Sequence, residues 1–375
     1  MKMYLEKVES MLPTTFWLIV TYRCNDRCGG CYAAAECFPA QRPLPKPDDD
    51  MPLAYAKDVM AELKDCGVDN CLLIGGEPTL HAYLLELIEY GTSLGLKMKL
   101  VTNGRRLADR SYVERLKQAG LVHTSVSIEA STADLHDRIT GTRGFGQRIA
   151  GLQNLVDVGV SNNSILTLTV QNAEEVVPVA QLVHRMGVKN VLYNFSLPTV
   201  SENGGVDGRF SLDPRTGATI IVSAYRRLKE LRIPFTFFAT IPLCLIDEDT
   251  REAMIADRTI ARSYHCHIFY GTGAAFEPNG NVLPCTHFAG TPLFNAMDKQ
   301  KHFAYRGKFA REWEGGVHKD FVEASWKYPS PKCRSCQLWG ICLGGCPFQW
   351  MHFDPKQYIT GLGREVISDG RDQPS

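Results

Sequence analysis

The sequence predicts an α/β fold, a partial barrel of six βα repeats followed by a cysteine-rich C-terminal region. Three observations predict it. Short apolar runs alternate with amphipathic segments from residue 15 to about 200. The thirteen cysteines are unevenly spread, with Cys24, Cys28 and Cys31 near the start and six more from Cys266 to Cys346. An Asn279-Gly280 pair separates two β-type runs inside that second region.

The strands are expected at Thr15–Thr21, Cys71–Ile74, Lys97–Thr102, Val122–Ile128, Ser164–Val170 and Asn190–Ser196. Each is a short apolar run, as strands covered on both faces require. Helices are expected between them, at Leu53–Asp65, His81–Leu94, Ser111–Ala119, Gly146–Asp157 and Ala173–Met186. The last places Val176, Val179, Ala180 and Val183 on one face, and Asn172 with Glu175 reads as its capping box. Six such repeats with right-handed crossovers give a TIM-like partial (β/α)6 barrel. Residues 199–212 are glycine-rich and polar, a linker or active-site loop. A helix near Pro214–Leu231 and a strand near Pro234–Phe238 lead on, and Ala274–Glu277 with Val282–Cys285 make a hairpin about Asn-Gly. Residues 1–200 are thus expected to form the barrel, 201–260 a bridge, and 261–375 a cysteine-rich domain.

Composition narrows the function classes. Lys plus Arg equals Asp plus Glu at 41 each, so no net field draws the chain to nucleic acid or an anionic membrane. No apolar stretch reaches the roughly 18–20 residues of a membrane span. The start, Met1-Lys2-Met3-Tyr4-Leu5-Glu6, lacks the apolar core of a signal peptide, so a cytoplasmic location is expected. In a reducing cytosol such a density of cysteine points to metal rather than disulfides. Cys66 and Cys71 flank a helix-to-strand turn and read as small buried residues, while Cys37 and Cys244 stand apart.

Cys24-x3-Cys28-x2-Cys31 follows the first strand, at the edge where parallel α/β proteins bind ligands. Three thiolates are one fewer than a [4Fe–4S] cube needs, and the open iron is a place for chemistry. Structural zinc would want four ligands, usually in C-x2-C pairs. The run Cys24-Asn-Asp-Arg-Cys28-Gly-Gly-Cys31-Tyr32 resembles the signature of the radical S-adenosylmethionine (radical SAM) enzymes. The resemblance implies that SAM chelates the open iron and is cleaved reductively to a 5′-deoxyadenosyl radical, which abstracts hydrogen from the substrate. It further implies that Gly75-Gly76-Glu77 holds the SAM amino group and that Asn103, Ser127 and Glu129 position its ribose and methionine. Arg138 would pair with the SAM carboxylate, and Leu168 would pack on adenine. Two departures stand out. The residue before the third cysteine, usually aromatic, is Gly30, with Tyr32 as the compensating ring, and Glu129 replaces a commoner aspartate.

Cys266-x13-Gly280-x4-Cys285, then Cys333-x2-Cys336-x5-Cys342-x3-Cys346, resembles the SPASM extension of these enzymes, which holds two auxiliary clusters. Its crossed pattern implies an inner group of Cys266, Cys285 and Cys346 and an outer group of Cys333, Cys336 and Cys342, with single-ion zinc as the rival. The family's last cysteine is absent after Cys346. Cys244 is the expected fourth ligand of the inner group, leaving Asp354, His352 or an open site for the outer one.

Members with this extension mostly modify ribosomally made peptides, so a peptide maturase making an oxidative crosslink leads. A small-molecule enzyme (an epimerase, dehydrogenase or decarboxylase on a sugar or amino-acid metabolite) is second, with Cys37 or Cys244 as hydrogen donor if it epimerises. A non-catalytic electron carrier has no use for the groups around an open iron. About 14 residues precede the first strand, so a fused leader-recognition domain is not expected. The implied partners are a precursor peptide or small molecule, a flavodoxin- or ferredoxin-type electron donor and a separate peptide-recognition protein. Glu202, Asp207 and Tyr193 lie near the expected barrel mouth, but none is assignable as the general base.

Overall fold

The computed structural model describes residues 12–33, 46–200, 205–238, 240–261, 266–289 and 291–359; Cys37 and Glu202 fall outside them. Six parallel strands form as expected: β1 (Thr15–Thr21), β2 (Asn70–Gly75), β3 (Lys97–Thr102), β4 (His123–Ser127), β5 (Asn162–Leu168) and β6 (Val191–Phe195). Phe16, Leu18, Ile19 and Val20 of β1 are all fully buried, because helices cover one face and the barrel interior fills the other. The covering helices are α1 (Leu53–Asp65), α2 (Leu84–Ser93), α3 (Arg110–Gln118), α4 (Ala133–Thr140), α5 (Phe145–Val158) and α6 (Val176–Arg185). The short α4 is not predicted by periodicity. It is stopped by Gly141 at φ 67°, and a Cβ there would sit 2.7 Å from the carbonyl oxygen of Arg27.

The sheet does not end with β6. A separate two-stranded ribbon, β7 (Thr199–Val200) with β8 (Val206–Asp207), comes first along the chain. The segment 201–260, expected as a bridge, then contributes α7 (Pro214–Glu230), β9 (Phe235–Phe238) and β10 (Ile260–Ala261). Both of these strands run parallel and extend the β6 edge. At the other edge β11 (Gly273–Phe276) pairs in parallel with β1, then β12 (Asn281–Leu283) and β13 (Phe294–Asn295) follow antiparallel. The order is β10-β9-β6-β5-β4-β3-β2-β1-β11-β12-β13, open at both ends. The physical reason is edge protection: the apolar runs Phe235–Phe238 and Gly273–Phe276 cover strand edges that would otherwise stay unpaired. The boundaries drawn at residues 200 and 261 therefore do not divide the sheet.

Two local expectations are corrected. Asn172 caps no helix with its side chain: its Oδ1 accepts from the Thr169 N–H at 2.7 Å, and its Nδ2 donates to the carbonyls of Glu129 and Thr167 at 3.0 Å. Glu175 instead accepts from the Ser131 N–H at 2.6 Å, so both polar groups serve the loop after β4. Tyr193 does not face the mouth. It is buried in the core, stacked on Phe237 with its hydroxyl donating to the Val176 carbonyl. The Asn-Gly hairpin forms as read, with Gly280 at φ 88° in a position where a Cβ would strike Met297.

Among the described residues, no helix is long and apolar enough to cross a membrane. Phe276 joins the C-terminal third to the barrel, packing fully buried against Phe16, Phe303 and Phe309. Phe276→Ala is expected to cost about 3–5 kcal/mol, read as a lowered urea midpoint. A loss below about 1 kcal/mol would mean that the junction carries little of the fold.

Candidate functional site

The carboxyl ends of β1 to β6 converge on one edge, and the loop carrying Cys24, Cys28 and Cys31 leaves β1 there. Asp26, 2% exposed, organises that loop. It forms a buried ion pair with Arg148 of α5, accepts from the Thr142 hydroxyl at 2.7 Å, and lies 3.4 Å from Arg105 after β3. Arg105 also donates to the Asn25 carbonyl at 2.5 Å, and Asn103 Nδ2 donates to Asn25 Oδ1 at 2.6 Å. The Arg27 N–H donates to the Thr140 carbonyl at the end of α4. Loops after β3 and β4 thus clamp the cysteine loop from two sides.

The three thiols lie close enough that Cys31 raises the pKa of Cys24, and Cys31 and Cys24 raise that of Cys28. Burial first, then the nearby Glu77, Asp26 and Cys31, pushes the metal-free Cys24 thiol up to about 12. Burial, followed by Glu129 and Asp26, raises Cys28 likewise. The Asp26 N–H donates to Cys24 Sγ at 3.4 Å, a bond that favours the thiolate a metal would bind.

Gly75 and Gly76 come so near the end of β1 that a Cβ on Gly76 would sit 2.5 Å from the Arg23 carbonyl oxygen. Backbone bonds from Gly76 to Thr21 and from Glu77 to Arg23, both 2.7 Å, fix this approach. The Glu77 side chain, expected to hold the SAM amino group, is 0% exposed. Its carboxylate accepts from the Thr79 N–H and hydroxyl, the Thr102 hydroxyl and the Asn103 N–H. It therefore ties the ends of β2 and β3 together, and the motif's free polar groups belong to the backbone.

Ser127 ends β4 and stays partly exposed beside Glu129. Burial pushes the Glu129 carboxyl up to about 7, against the Thr167 N–H bond and the nearby Arg148, which pull it down. Arg138 is exposed on α4 rather than turned to this edge, and the cation facing Glu129 is Arg148, which no motif marks. Leu168 is fully buried at the end of β5. Around Gly30 the aromatic ring comes from elsewhere: a Cβ on Gly29 would meet Phe210 at 2.6 Å and one on Gly30 at 3.2 Å. Phe210 is held by its carbonyl accepting from the Val170 N–H. Tyr32, the ring expected to compensate, instead donates to the Gly75 carbonyl at 3.3 Å and packs on His287 at 5.4 Å.

The C-terminal cysteines form two groups, and the structure corrects one assignment. Cys244 lines a pocket with Cys333, Cys336 and Cys342, walled by Pro242, Leu338, Trp339 and Gly344. It does not join Cys266, Cys285 and Cys346, which influence one another's ionisation as a separate trio. The reason is local: Cys244 sits in the turn after Pro242, whose Leu243 N–H donates to Cys342 Sγ at 3.2 Å. Asp354 caps its own turn by accepting from the Lys356 N–H, and His352 packs over Gly208, so neither lines the pocket. Crossing of the groups is built into the run Leu343-Gly344-Gly345, all at positive φ, which turns Cys342 to one group and Cys346 to the other.

Four thiols lining one pocket, with N–H groups donating to Cys336 and Cys342 sulfur, fit an iron–sulfur cluster. Among the described residues, no three His, Cys, Asp or Glu side chains converge tightly enough for a single metal ion.

Residues 18–183 match the family described as Radical SAM superfamily. Over 337 residues the chain is 29% identical to the AdoMet-dependent heme synthase of Methanosarcina barkeri, covering 87% of this chain and 88% of that protein. The curated relatives that follow are matched over 41–54% of their length, so the chain spans about half the length of each. SuiB of Streptococcus suis bound to S-adenosylmethionine superposes with a TM-score of 0.65 at 20% identity, covering 98% of this chain and 80% of that one. It has also been solved with its precursor peptide SuiA. Native anSMEcpe with bound AdoMet gives 0.63 at 16% identity, over 88% and 89% of the two chains. Residues 18–183 thus resemble a radical SAM domain, and the parallel α/β fold is that of SuiB and anSMEcpe.

The clamp can be tested through its charges. Arg148→Met leaves buried Asp26 with only Arg105, at 3.4 Å, as its cation, at an expected cost of up to about 3–5 kcal/mol, and adding Asp26→Asn should recover most of it. Equal urea midpoints for the single and double variants would refute the pairing. His136 is fully buried; its Nδ1 accepts from the Glu129 N–H, and burial lowers its pKa from 6.5 to about 4. The folded state holds this ring neutral, so its penalty is absent above about pH 6.5 and grows as pH falls towards 4, to about 3 kcal/mol. Metal-free His136→Gln should lose stability less steeply than the wild type across that window, and parallel melting-temperature curves would refute it.

Proposed function

We propose that this radical SAM protein oxidatively modifies a peptide, most simply by a crosslink, with two auxiliary clusters to take electrons away. The observation that carries the reading is the trio Cys24, Cys28 and Cys31, three thiols from one clamped loop at the open edge of the parallel sheet. They would hold three irons of a [4Fe–4S] cluster and leave the fourth to SAM. Bound there, the cluster and SAM would supply radical chemistry for hydrogen abstraction from the substrate.

The chain's own residues then hold and orient. The backbone at Gly75 and Gly76 offers polar groups beside the thiols, and Ser127 and Glu129 lie across the mouth at the end of β4. Asn103 fixes the loop through Asn25. Phe210 would offer apolar surface for the nucleoside, the ring supplying what Gly30 lacks, whereas Leu168, fully buried, would meet it only if its neighbours moved. Arg138, exposed on α4, would reach the SAM carboxylate only by swinging inwards. Cys244, Cys333, Cys336 and Cys342 would hold one auxiliary cluster completely, and Cys266, Cys285 and Cys346 the other with one position open.

Support for a peptide comes from the SuiA complex of SuiB and from the mouth itself. Val170, just after β5, and Val206, in β8 of the ribbon, are 54% and 37% exposed, apolar surface that a peptide would cover. A second reading, a small-molecule substrate, is favoured by the heme synthase relative, which aligns over nearly the whole of both chains.

Anaerobically reconstituted, reduced enzyme should release 5′-deoxyadenosine from SAM, and Cys28→Ala should abolish it. Release that survives Cys28→Ala would overturn the assignment. Deuterium from a labelled precursor peptide appearing in 5′-deoxyadenosine, with loss of a hydrogen pair from the peptide, would support the maturase; label passing only from a porphyrin would support the alternative. Cys244→Ser should deplete the same iron signal as Cys333→Ser, about four irons, and leave the Cys266 group intact. Depletion of the Cys266 group instead would refute the regrouping.

A further inference from the structure

The lumen of the barrel holds a cation that the proposed chemistry does not use. Along β2, β3, β6 and β9 buried residues alternate with exposed or partly exposed ones. The buried set, which includes Leu73, Leu100, Tyr193 and Phe237, packs under the covering helices. The other set faces inwards, where Trp17 and Ile74 cluster with Cys31 and Tyr32 of the thiol loop. Its partial exposure means that the inner face is open to solvent rather than filled. Lys99 belongs to that face, level in register with Leu72 on one side and His123 on the other.

The Lys99 ammonium is uncompensated. Among the described residues its side chain has no ion pair or hydrogen bond, and none of the strands β1 to β6 contains an Asp or Glu. Burial, then the neighbouring Lys97, holds its pKa below the usual lysine value, and no carboxylate acts against them. His123 is already engaged, its Nδ1 3.0 Å from Ser161 Oγ and its Nε2 3.3 Å from Asn163 Oδ1. A half-buried charge without a partner costs stability, and a neutral side chain would suit this position better. In an open cavity such a group is accounted for by a ligand of opposite charge.

We propose that Lys99 anchors a carboxylate of the substrate inside the barrel, so that the substrate class is acidic. The proposal deepens the reaction proposed above and rests on that reading only for taking the bound molecule as the substrate. Lys99 lies three residues before the end of β3, about 10 Å along the strand from the edge that carries the thiols. A molecule held there by a carboxylate would extend up the lumen and bring its other end to the thiol loop. The chemistry recognised is an acidic group, supplied by an acidic side chain of a peptide or by the acid of a small metabolite.

The test uses the full-length, iron-loaded protein under anaerobic conditions and two pairs of probes, mesoporphyrin with its dimethyl ester and a glutamate-rich pentapeptide with its glutamine counterpart. By calorimetry, at least one carboxylate probe should bind about tenfold or more tightly than its uncharged partner. Lys99→Gln should abolish that preference and Lys99→Arg should keep it. Lys64→Gln, which removes the same charge from helix α1 outside the barrel, should leave it unchanged. Lys99→Gln should also keep or raise the urea midpoint, since the charge it removes has no partner in the fold. The proposal is overturned if wild type binds neither acid, if it binds acid and uncharged partner equally, if Lys99→Gln retains the preference or lowers the midpoint, or if Lys64→Gln weakens binding as much. The pair that responds tells a peptide from a small molecule. Release of 5′-deoxyadenosine by the wild type is read separately: its absence would sink the reaction proposed above, whatever the acids do.

Discussion

The site depends on one buried carboxylate. Asp26 lies between two cysteines that must be free to bind metal, so its loop cannot be stabilised by its own cysteine side chains. A loop at a strand end has few backbone partners of its own. Here the missing stability comes from the side, through Arg148, Thr142 and Arg105, which belong to α5, the turn after α4 and the loop after β3. An ion pair this deeply buried returns little net stability, because desolvation offsets attraction. Its contribution is geometric: Asp26 has a low-energy place only when the loops after β3 and β4 are both in position. The thiols are thereby registered against Glu77, Asn103 and Glu129 before any metal arrives.

Glu77 has a matching role at the end of the neighbouring strand. A fully buried carboxylate with four donors is hard to form and costly to disturb. By joining Thr79 to Thr102 and Asn103, it sets the distance between the ends of β2 and β3. The two carboxylates meet through Asn103, which Glu77 holds by its N–H and which in turn holds Asn25, next to Asp26. A chain of buried polar contacts therefore runs around the strand edge, and the cysteine loop is its last member.

Much of this is legible in the sequence, and the reasons for what is not are physical. β1, β3 and α1 have the boundaries their apolar runs indicate, because periodicity and local breakers decide such elements. The thiol trio and the hairpin at Gly280 are written in short spacings. Partners that depend on tertiary packing escape such a reading. Nothing local marks Arg148 as buried, since its helix pattern reads equally well with that residue outside. Phe210 could be found only through Gly29 and Gly30, whose missing side chains leave room for a ring from a distant loop. Cys244 is misplaced by sequence because spacing along the chain suggests proximity to Cys266, whereas β9 carries it back past Cys342. The Asn172–Glu175 pair has the letters of a capping box, and tertiary donors at Ser131 and Thr169 outcompete the helix.

The three thiol groups are also ordered in space, and that order bears on how charge would move. Tyr32, next to Cys31, packs on His287, which lies 3.7 Å from Cys285 Sγ and also packs on Phe348, two residues after Cys346. Burial lowers the His287 pKa to about 4, so this link between the first trio and the second is neutral at ordinary pH. From Cys346 the turn at Leu343–Gly345 leads directly to Cys342 and the four-thiol pocket. Packed rings and short stretches of chain therefore connect the three thiol groups in sequence from the mouth of the barrel. The groups differ in completeness along that sequence, three thiols, then three, then four. Were each group to hold a cluster, the open positions would fall in the two three-thiol groups, and the four-thiol pocket would be closed by its own chain.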